Sequence, residues 1–155
     1  MRMAATPVER IIATYEPIAA RREVNLVLEL PNHSSTLLVD EGRMLQVLKN
    51  LVQNALRYTP RGGKITLGEY PNGRVQLVVK DNGTGIEAGD LPYIFDRFYR
   101  ADPSRGGPPG KVGLGLAICK ALVKAQGGEI RAESAGKDQG TSMIITFPVV
   151  KSEGG

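Results

Sequence analysis

At 155 residues and 41% hydrophobic composition, the chain has the size and apolar content of one domain with one core. With 5% aromatics and no Trp, that core rests on Leu, Ile, Val and Ala, and a single Cys and a single His exclude an internal disulfide framework and thiolate or histidine-rich metal clusters. Twenty basic against 16 acidic residues leave +4, spread along the chain without a dense basic block, which suits a small anionic ligand at least as well as duplex nucleic acid.

In chain order, Val8, Ile11, Ile12, Tyr15, Ile18 and Ala19 recur at helical spacing, which predicts a helix from Thr6 to about Arg21 with Pro7 at its start. The runs Val24–Leu30 and Thr36–Val39 read as strands around a polar turn that holds His33. Asp40 suits the N-cap of a second helix reaching about Tyr58. Met44, Leu45, Leu48, Leu51, Val52, Ala55 and Leu56 form its apolar side, and Gln46, Asn50, Gln53, Asn54 and Arg57 its opposite stripe. Lys64–Glu69 and Arg74–Lys80 form a hairpin around Tyr-Pro-Asn-Gly. Residues 81–112 then read as a long loop with one short helical stretch at Leu91–Phe95. A third helix carries Leu116, Ala117, Ile118, Ala121, Leu122 and Ala125 and stops at Gly127 and Gly128, before strands Gly128–Glu133 and Thr141–Val149. Without strict strand-helix-strand alternation, the expected class is α+β: a mixed, mostly antiparallel sheet with about three helices on one face. The chain holds no run of 18 apolar residues and no basic-then-apolar leader, so it reads as a single soluble domain, and its one Cys makes the cytoplasm the default compartment, whether or not the parent protein is anchored in a membrane.

Two nucleotide-binding signatures are missing. Gly110-Lys111 is followed by Val112, against a Walker A loop, and Ile118 stands where a third dinucleotide-binding Gly belongs. His33 has no Ser or Cys partner nearby in sequence, and Cys119 reads as a small buried apolar residue. Three other features carry chemistry together. Asp81-Asn82-Gly83-Thr84-Gly85 follows a strand, where Gly permits either a plain turn or the close approach of a flat ligand. Gly113-Leu114-Gly115-Leu116 opens a helix, whose free amides favour an anion. Asn50 and Asn54 lie one helical turn apart, as a solvated polar face or as hard oxygen ligands for Mg²⁺.

These motifs, in this order, resemble the ATP-binding catalytic domain of sensor histidine kinases, within the group that includes gyrase, the ninety-kilodalton heat-shock chaperone and the mismatch-repair ATPases. The resemblance runs from about Thr6 to Val150: an N box at Asn50–Tyr58, a G1 box at Asp81–Gly85, an F box at Phe95–Arg100 and a G2 box at Gly113–Leu116. It implies a two-layer α/β sandwich of the Bergerat type with an ATP lid over about residues 87–112. It further implies that Asp81 accepts from the adenine amino group with Thr141 in support, and that Asn50 and Asn54 hold Mg²⁺ or phosphate. Tyr58 would lie along the adenine, Gly83, Gly85, Ile86, Lys111, Gly113, Leu114, Gly115 and Leu116 would line the nucleotide, and Phe95 and Phe98 would anchor the lid. Asn50, Arg97 and Arg100 are the implied catalytic residues. Two departures stand out: Arg57 replaces the usual Lys, and Lys111-Val112 interrupts the usual Gly-x-Gly-Leu-Gly pattern.

Hydrolytic members of the group resemble one another in placing Glu where this chain has Asn50. A carboxylate can deprotonate water; an amide cannot. Imidazole attacks through an existing lone pair, so Asn50 favours phosphoryl transfer to His. The chain therefore reads as a monomeric catalytic fragment of a longer sensor kinase. Its expected partners are the histidine-bearing dimerisation domain of the parent and, indirectly, a response regulator, without nucleic acid or direct membrane contact. An ATP-hydrolysing member and a degenerate, nucleotide-free interaction module are the alternatives.

Overall fold

The computed structural model describes residues 2–3, 5–29, 36–37, 40–71, 74–86, 89, 91–96, 114–136 and 138–148. The elements run β1 (Arg2–Met3), α1 (Ala5–Arg21), β2 (Asn25–Glu29), β3 (Thr36–Leu37), α2 (Glu41–Tyr58), β4 (Lys64–Pro71), β5 (Arg74–Asp81), a 3-10 turn (Leu91–Tyr93), α3 (Leu114–Ala125), β6 (Glu129–Glu133) and β7 (Thr141–Pro148). Five strands form one open sheet in the order β2-β4-β5-β7-β6, with β2 and β4 parallel and every other pair antiparallel. The short strands β1 and β3 pair separately, Arg2 with Leu37 and Met3 with Thr36, an antiparallel contact that the sequence reading did not include.

Period-two alternation sorts the sheet into two faces. Along β5, Val75, Leu77, Val79 and Asp81 are buried while Arg74 and Lys80 are exposed. Ile65 and Leu67 of β4 and Met143, Ile145 and Phe147 of β7 join the buried row, and the apolar sides of α1, α2 and α3 pack onto it in one core. This is the expected α+β sandwich with three helices on one face. On the opposite face Tyr70 folds back over Gly68, where a Cβ would lie 2.5 Å from the phenol oxygen, and its hydroxyl donates to Glu29 Oε1 on β2.

Helix α2 is the centre of the helical layer. Asp40 caps it, its Oδ1 accepting from the Arg43 amide at 3.0 Å. The buried side consists of Met44, Val47, Leu48, Leu51, Val52, Ala55 and Leu56. Val47 is therefore a core residue that the expected apolar side omitted, and Leu45, expected there, is half-buried. At 100° per residue Val47 borders the stripe of amides, where another helix covers it. That helix is α3. Asp40 N donates to Gln126 Oε1 at 2.6 Å, and Cys119 Sγ donates to the Val47 carbonyl at 3.6 Å, so the start of α2 meets the end of α3 and the pair runs antiparallel. The 3-10 turn is shorter than the helical stretch expected at Leu91–Phe95.

Leu51 is fully buried at the middle of α2. Leu51→Ala should lower unfolding free energy by about 2 to 5 kcal/mol, the range for a buried Leu that leaves a cavity. Urea titration followed by circular dichroism checks this.

Candidate functional site

β5 delivers Asp81 to the helical side of the sheet, next to the carboxyl end of α2. Asp81 is paired across strands with Thr141 at the start of β7, and both are buried. Asp81 Oδ1 accepts from the Gly83 amide at 2.9 Å, and the carboxylate also accepts from the Thr141 amide. Burial pushes the Asp81 carboxyl above the usual carboxylate range, and these two amide bonds only partly oppose it. A recessed acceptor with its flanking amides in place is suited to a donor arriving from a ligand.

The loop that follows is held from two sides. The Thr84 amide donates to the Tyr58 carbonyl at 3.1 Å, closing the loop onto the last residue of α2. Approach there is so close that a Cβ on Gly83 would lie 2.2 Å from the same carbonyl oxygen. On the other side the Asp138 amide donates to the Thr84 carbonyl at 2.6 Å and the Gly140 amide to the Gly83 carbonyl at 3.2 Å. Gly85 and Gly140 both carry positive φ, 71° and 76°, which glycine adopts without strain. An open cavity of about 240 Å³ flanks the Asp81–Thr141 pair, with Lys80, Ser134 and Ser142 in its wall; the amides of α2 do not line it.

Asn50 and Asn54 stand half-buried on the flank of α2 that faces α3, whereas Gln46 and Gln53 are exposed. The Asn50 carboxamide hydrogen-bonds to the Cys119 thiol, and Gln53 on the other flank bonds to the buried Tyr15 of α1. Burial pushes Cys119 up to about 12, so it stays a protonated thiol beside Asn50. Because the helices are antiparallel and Val47 meets Cys119, the amino end of α3 lies alongside the turn of α2 that carries Asn50 and Asn54. The amino end of α3 and two carboxamides thus border one seam, a setting suited to an anion and a hard cation. Among the described residues no cluster of three His, Cys, Asp or Glu could hold a metal ion. A cation at Asn50 and Asn54 would need further oxygens from a ligand, as Mg²⁺ with a polyphosphate has.

Asn50, Asn54, Asp81, Gly83, Gly85 and Thr141 thus gather at the carboxyl half of α2 and the adjoining ends of β5 and β7. Tyr58 joins them with 43% of its surface exposed, Arg57 is half-buried, and Ile86 and Leu116 are partly buried against the core. Leu114 and Gly115 form the first turn of α3. Phe95, just after the 3-10 turn within the long loop, packs against the core, with the Lys120 ammonium 6.0 Å from its ring centre. His33, Arg97, Phe98, Arg100, Lys111 and Gly113, with most of the segment 87–112, lie outside the described residues. The sequence reading missed the contact of Cys119 with Asn50 and the part played by Ser134 in the β6–β7 turn. Neither falls in a glycine or amide pattern, and only the packing of α3 and the path of the turn bring them in.

Fold and site define an ATP-binding α/β sandwich of the histidine kinase type. The chain belongs to the histidine kinase-, DNA gyrase B-, and HSP90-like ATPase family, whose sequence profile matches residues 39–151. It is similar to the sensor histidine kinase WalK of Bacillus subtilis (strain 168), 39% identical over 141 residues, which cover 89% of this chain and 23% of that protein. The chain thus spans about a quarter of the length of such relatives. Among solved structures, the nucleotide-free catalytic domain of histidine kinase ThkA matches with a TM-score of 0.79 at 26% identity, covering 96% of this chain and 97% of that one. Full-length ShkA in complex with AMPPNP matches with a TM-score of 0.82 at 25% identity, covering 98% and 32%. Among the described residues no helix is long and apolar enough to cross a membrane.

The raised pKa of Asp81 has a sign that can be tested. The folded chain holds this proton more tightly than the unfolded chain, so the group's contribution to stability falls as pH rises from its unfolded to its folded pKa. Asp81→Asn removes the buried charge, so at neutral pH it should melt no lower than the parent, and this relative advantage should shrink in acid. Scanning calorimetry from neutral to acidic pH checks it. In the same region Gly83→Ala should cost about 1 to 3 kcal/mol, as overpacking against fixed backbone does, which denaturant titration reads.

Proposed function

We propose that this domain binds ATP with Mg²⁺ and transfers the γ-phosphoryl group to a histidine on the dimerisation helix of its parent kinase. One observation carries this reading: an amide, Asn50, stands on the turn of α2 beside α3, while the carboxylate of the site, Asp81, lies next to the helix's carboxyl end. In this reading Asp81 accepts a hydrogen bond from the adenine amino group, a choice that favours adenine over guanine, and Thr141 steadies Asp81 through its amide. Tyr58 lies along the purine. Arg57 and the first amides of α3 meet the phosphates, Arg57 with a planar fork able to bridge two oxygens. Segment 87–112 acts as the lid, and its Arg97, Arg100 and Lys111 supply further positive charge.

Asn50 and Asn54 would hold Mg²⁺ through their carbonyl oxygens, and the ion would neutralise charge on the β- and γ-phosphates. The transfer breaks the bond between the γ-phosphorus and the bridging oxygen, forms a bond from that phosphorus to an imidazole nitrogen, and leaves ADP. The imidazole needs no base for its attack. Water does, and among the described residues the contacts of Asn50 offer none: an amide does not take the proton, and the Cys119 thiol it touches, pushed up to about 12, holds its own. This chemistry supports transfer over hydrolysis. A response regulator would take the phosphoryl group from the histidine in turn.

Mixing this chain with the dimerisation helices of its parent and labelled ATP should put an acid-labile label on the helices and none on the chain alone. Steady hydrolysis of ATP by the unaltered chain, or no label on the helices, would contradict the reading. Asp81→Ala should weaken ATP binding by about 1.5 to 3 kcal/mol, the range for a hydrogen bond to a charged group, as measured by calorimetry. Asn50→Ala and Asn54→Ala should instead lose most of the gain in affinity that Mg²⁺ confers.

A further inference from the structure

The turn between β6 and β7 meets the Asp81 loop through one side chain that the nucleotide reading leaves unused. Ser134 Oγ accepts from the Ile86 amide at 3.0 Å and from the Gly136 amide at 3.3 Å, and its one proton has the Gly140 carbonyl at 2.7 Å as its nearer acceptor, with the Gly136 carbonyl farther off at 3.3 Å. A hydroxyl has one proton and two lone pairs, so this set fills its capacity. The partners are the point. Ile86 is where the Asp81 loop leaves the site, and Gly140 precedes Thr141, whose amide bonds the Asp81 carboxylate. Ser134 therefore ties together the two segments on either side of Asp81.

The surroundings leave this tie little freedom. A Cβ on Gly85 would stand 2.1 Å from the Gly136 carbonyl oxygen, and one on Gly140 would stand 2.2 Å from the Asp81 carbonyl oxygen. The two backbones already touch, and a lateral slip of the turn would move the Thr141 amide away from Asp81. Removing the hydroxyl would leave the Ile86 amide and Gly140 carbonyl to find other partners, a loss comparable to that of a hydrogen bond or more.

We infer that Ser134 is a positioning residue for adenine recognition: its hydroxyl locks the exit of the Asp81 loop and the Gly140–Thr141 step into one frame, so that the carboxylate is held ready for the base. The claim about adenine rests on the assignment of Asp81 above; the mechanical tie does not. It also accounts for a hydroxyl at this half-buried place in the turn, where Ala would fit as well by size.

Ser134→Ala and Ser134→Thr in this chain test the inference, with ADP and adenosine affinity measured by calorimetry and amide exchange followed by NMR without ligand. In the parent the Ile86 amide should be protected. In Ser134→Ala it should exchange about tenfold faster, the equivalent of one modest hydrogen bond, with the amides of β5 unchanged. Affinity for ADP and for adenosine should fall by a similar factor, about tenfold, because both share the base, and Ser134→Thr should recover most of it. Unchanged affinity in Ser134→Ala overturns the inference, as does a loss accompanied by equal loosening of the whole sheet. Should Ser134→Ala fail to fold, an Ile86 amide that exchanges freely in the parent overturns it, and one that is protected and gains protection with ADP supports it. A parent that binds no nucleotide defeats the kinase reading alone, and the exchange of Ile86 in the variant then decides the mechanical tie.

Discussion

The structure depends on how the Asp81 loop is held between the last residue of α2 and the β6–β7 turn. Thr84 bonds the Tyr58 carbonyl, Gly83 and Thr84 accept from Gly140 and Asp138, and the Asp81 carboxylate receives amides from Gly83 and Thr141. Backbone approaches backbone at Gly83, Gly85 and Gly140 at distances a side chain would forbid, which explains glycine at those three positions. Burial raises the pKa of Asp81 and so disfavours its ionised form. A donor from a ligand would favour that form again, and pKa values shifted by burial in this way cluster at functional sites.

The other end of the site comes from the pairing of two helices. Because α2 and α3 are antiparallel, from the Asp40–Gln126 bond to the Cys119–Val47 contact, the amino end of α3 is brought to the turn of α2 that carries the amides. The core then does double service: the buried side of α2, with Val47 against α3 and Leu51 and Ala55 in the core, sets the side on which Asn50 and Asn54 emerge. In the proposed reading, a base-binding end and a phosphate-binding end would follow from one sheet and one helix pair.

Much of this was legible from spacing. The cap at Asp40, the 3.6-residue stripe of α2, the hairpin around Tyr-Pro-Asn-Gly and the glycine stop at Gly127 each rest on local chemistry, and the observed elements follow them within a residue or two. The motif residues Asp81, Asn50 and Asn54 were legible for the same reason: each stands in a short pattern. What escaped was tertiary. Val47 lies at the border of two stripes, and only the approach of α3 decides that it is buried. The bond of Cys119 to Asn50 joins residues 69 positions apart, and Ser134 acquires its role from the path of a turn that meets a loop 48 residues earlier. The β1–β3 pairing is likewise a contact of short segments with no periodic signal of their own.

The most direct measurement of the central claim is a titration of the ¹⁵N-labelled chain with Mg²⁺ and a non-hydrolysable ATP analogue, following every backbone and Asn side-chain amide. Saturable shifts should appear together at Gly83, Thr84, Thr141 and the side chains of Asn50 and Asn54, with Val78, Ile144 and Arg131 on the opposite face of the sheet unmoved. Shifts confined to that opposite face, or shifts at the Asp81 loop that never reach the two asparagines, would show that the carboxylate and the amides do not serve one nucleotide.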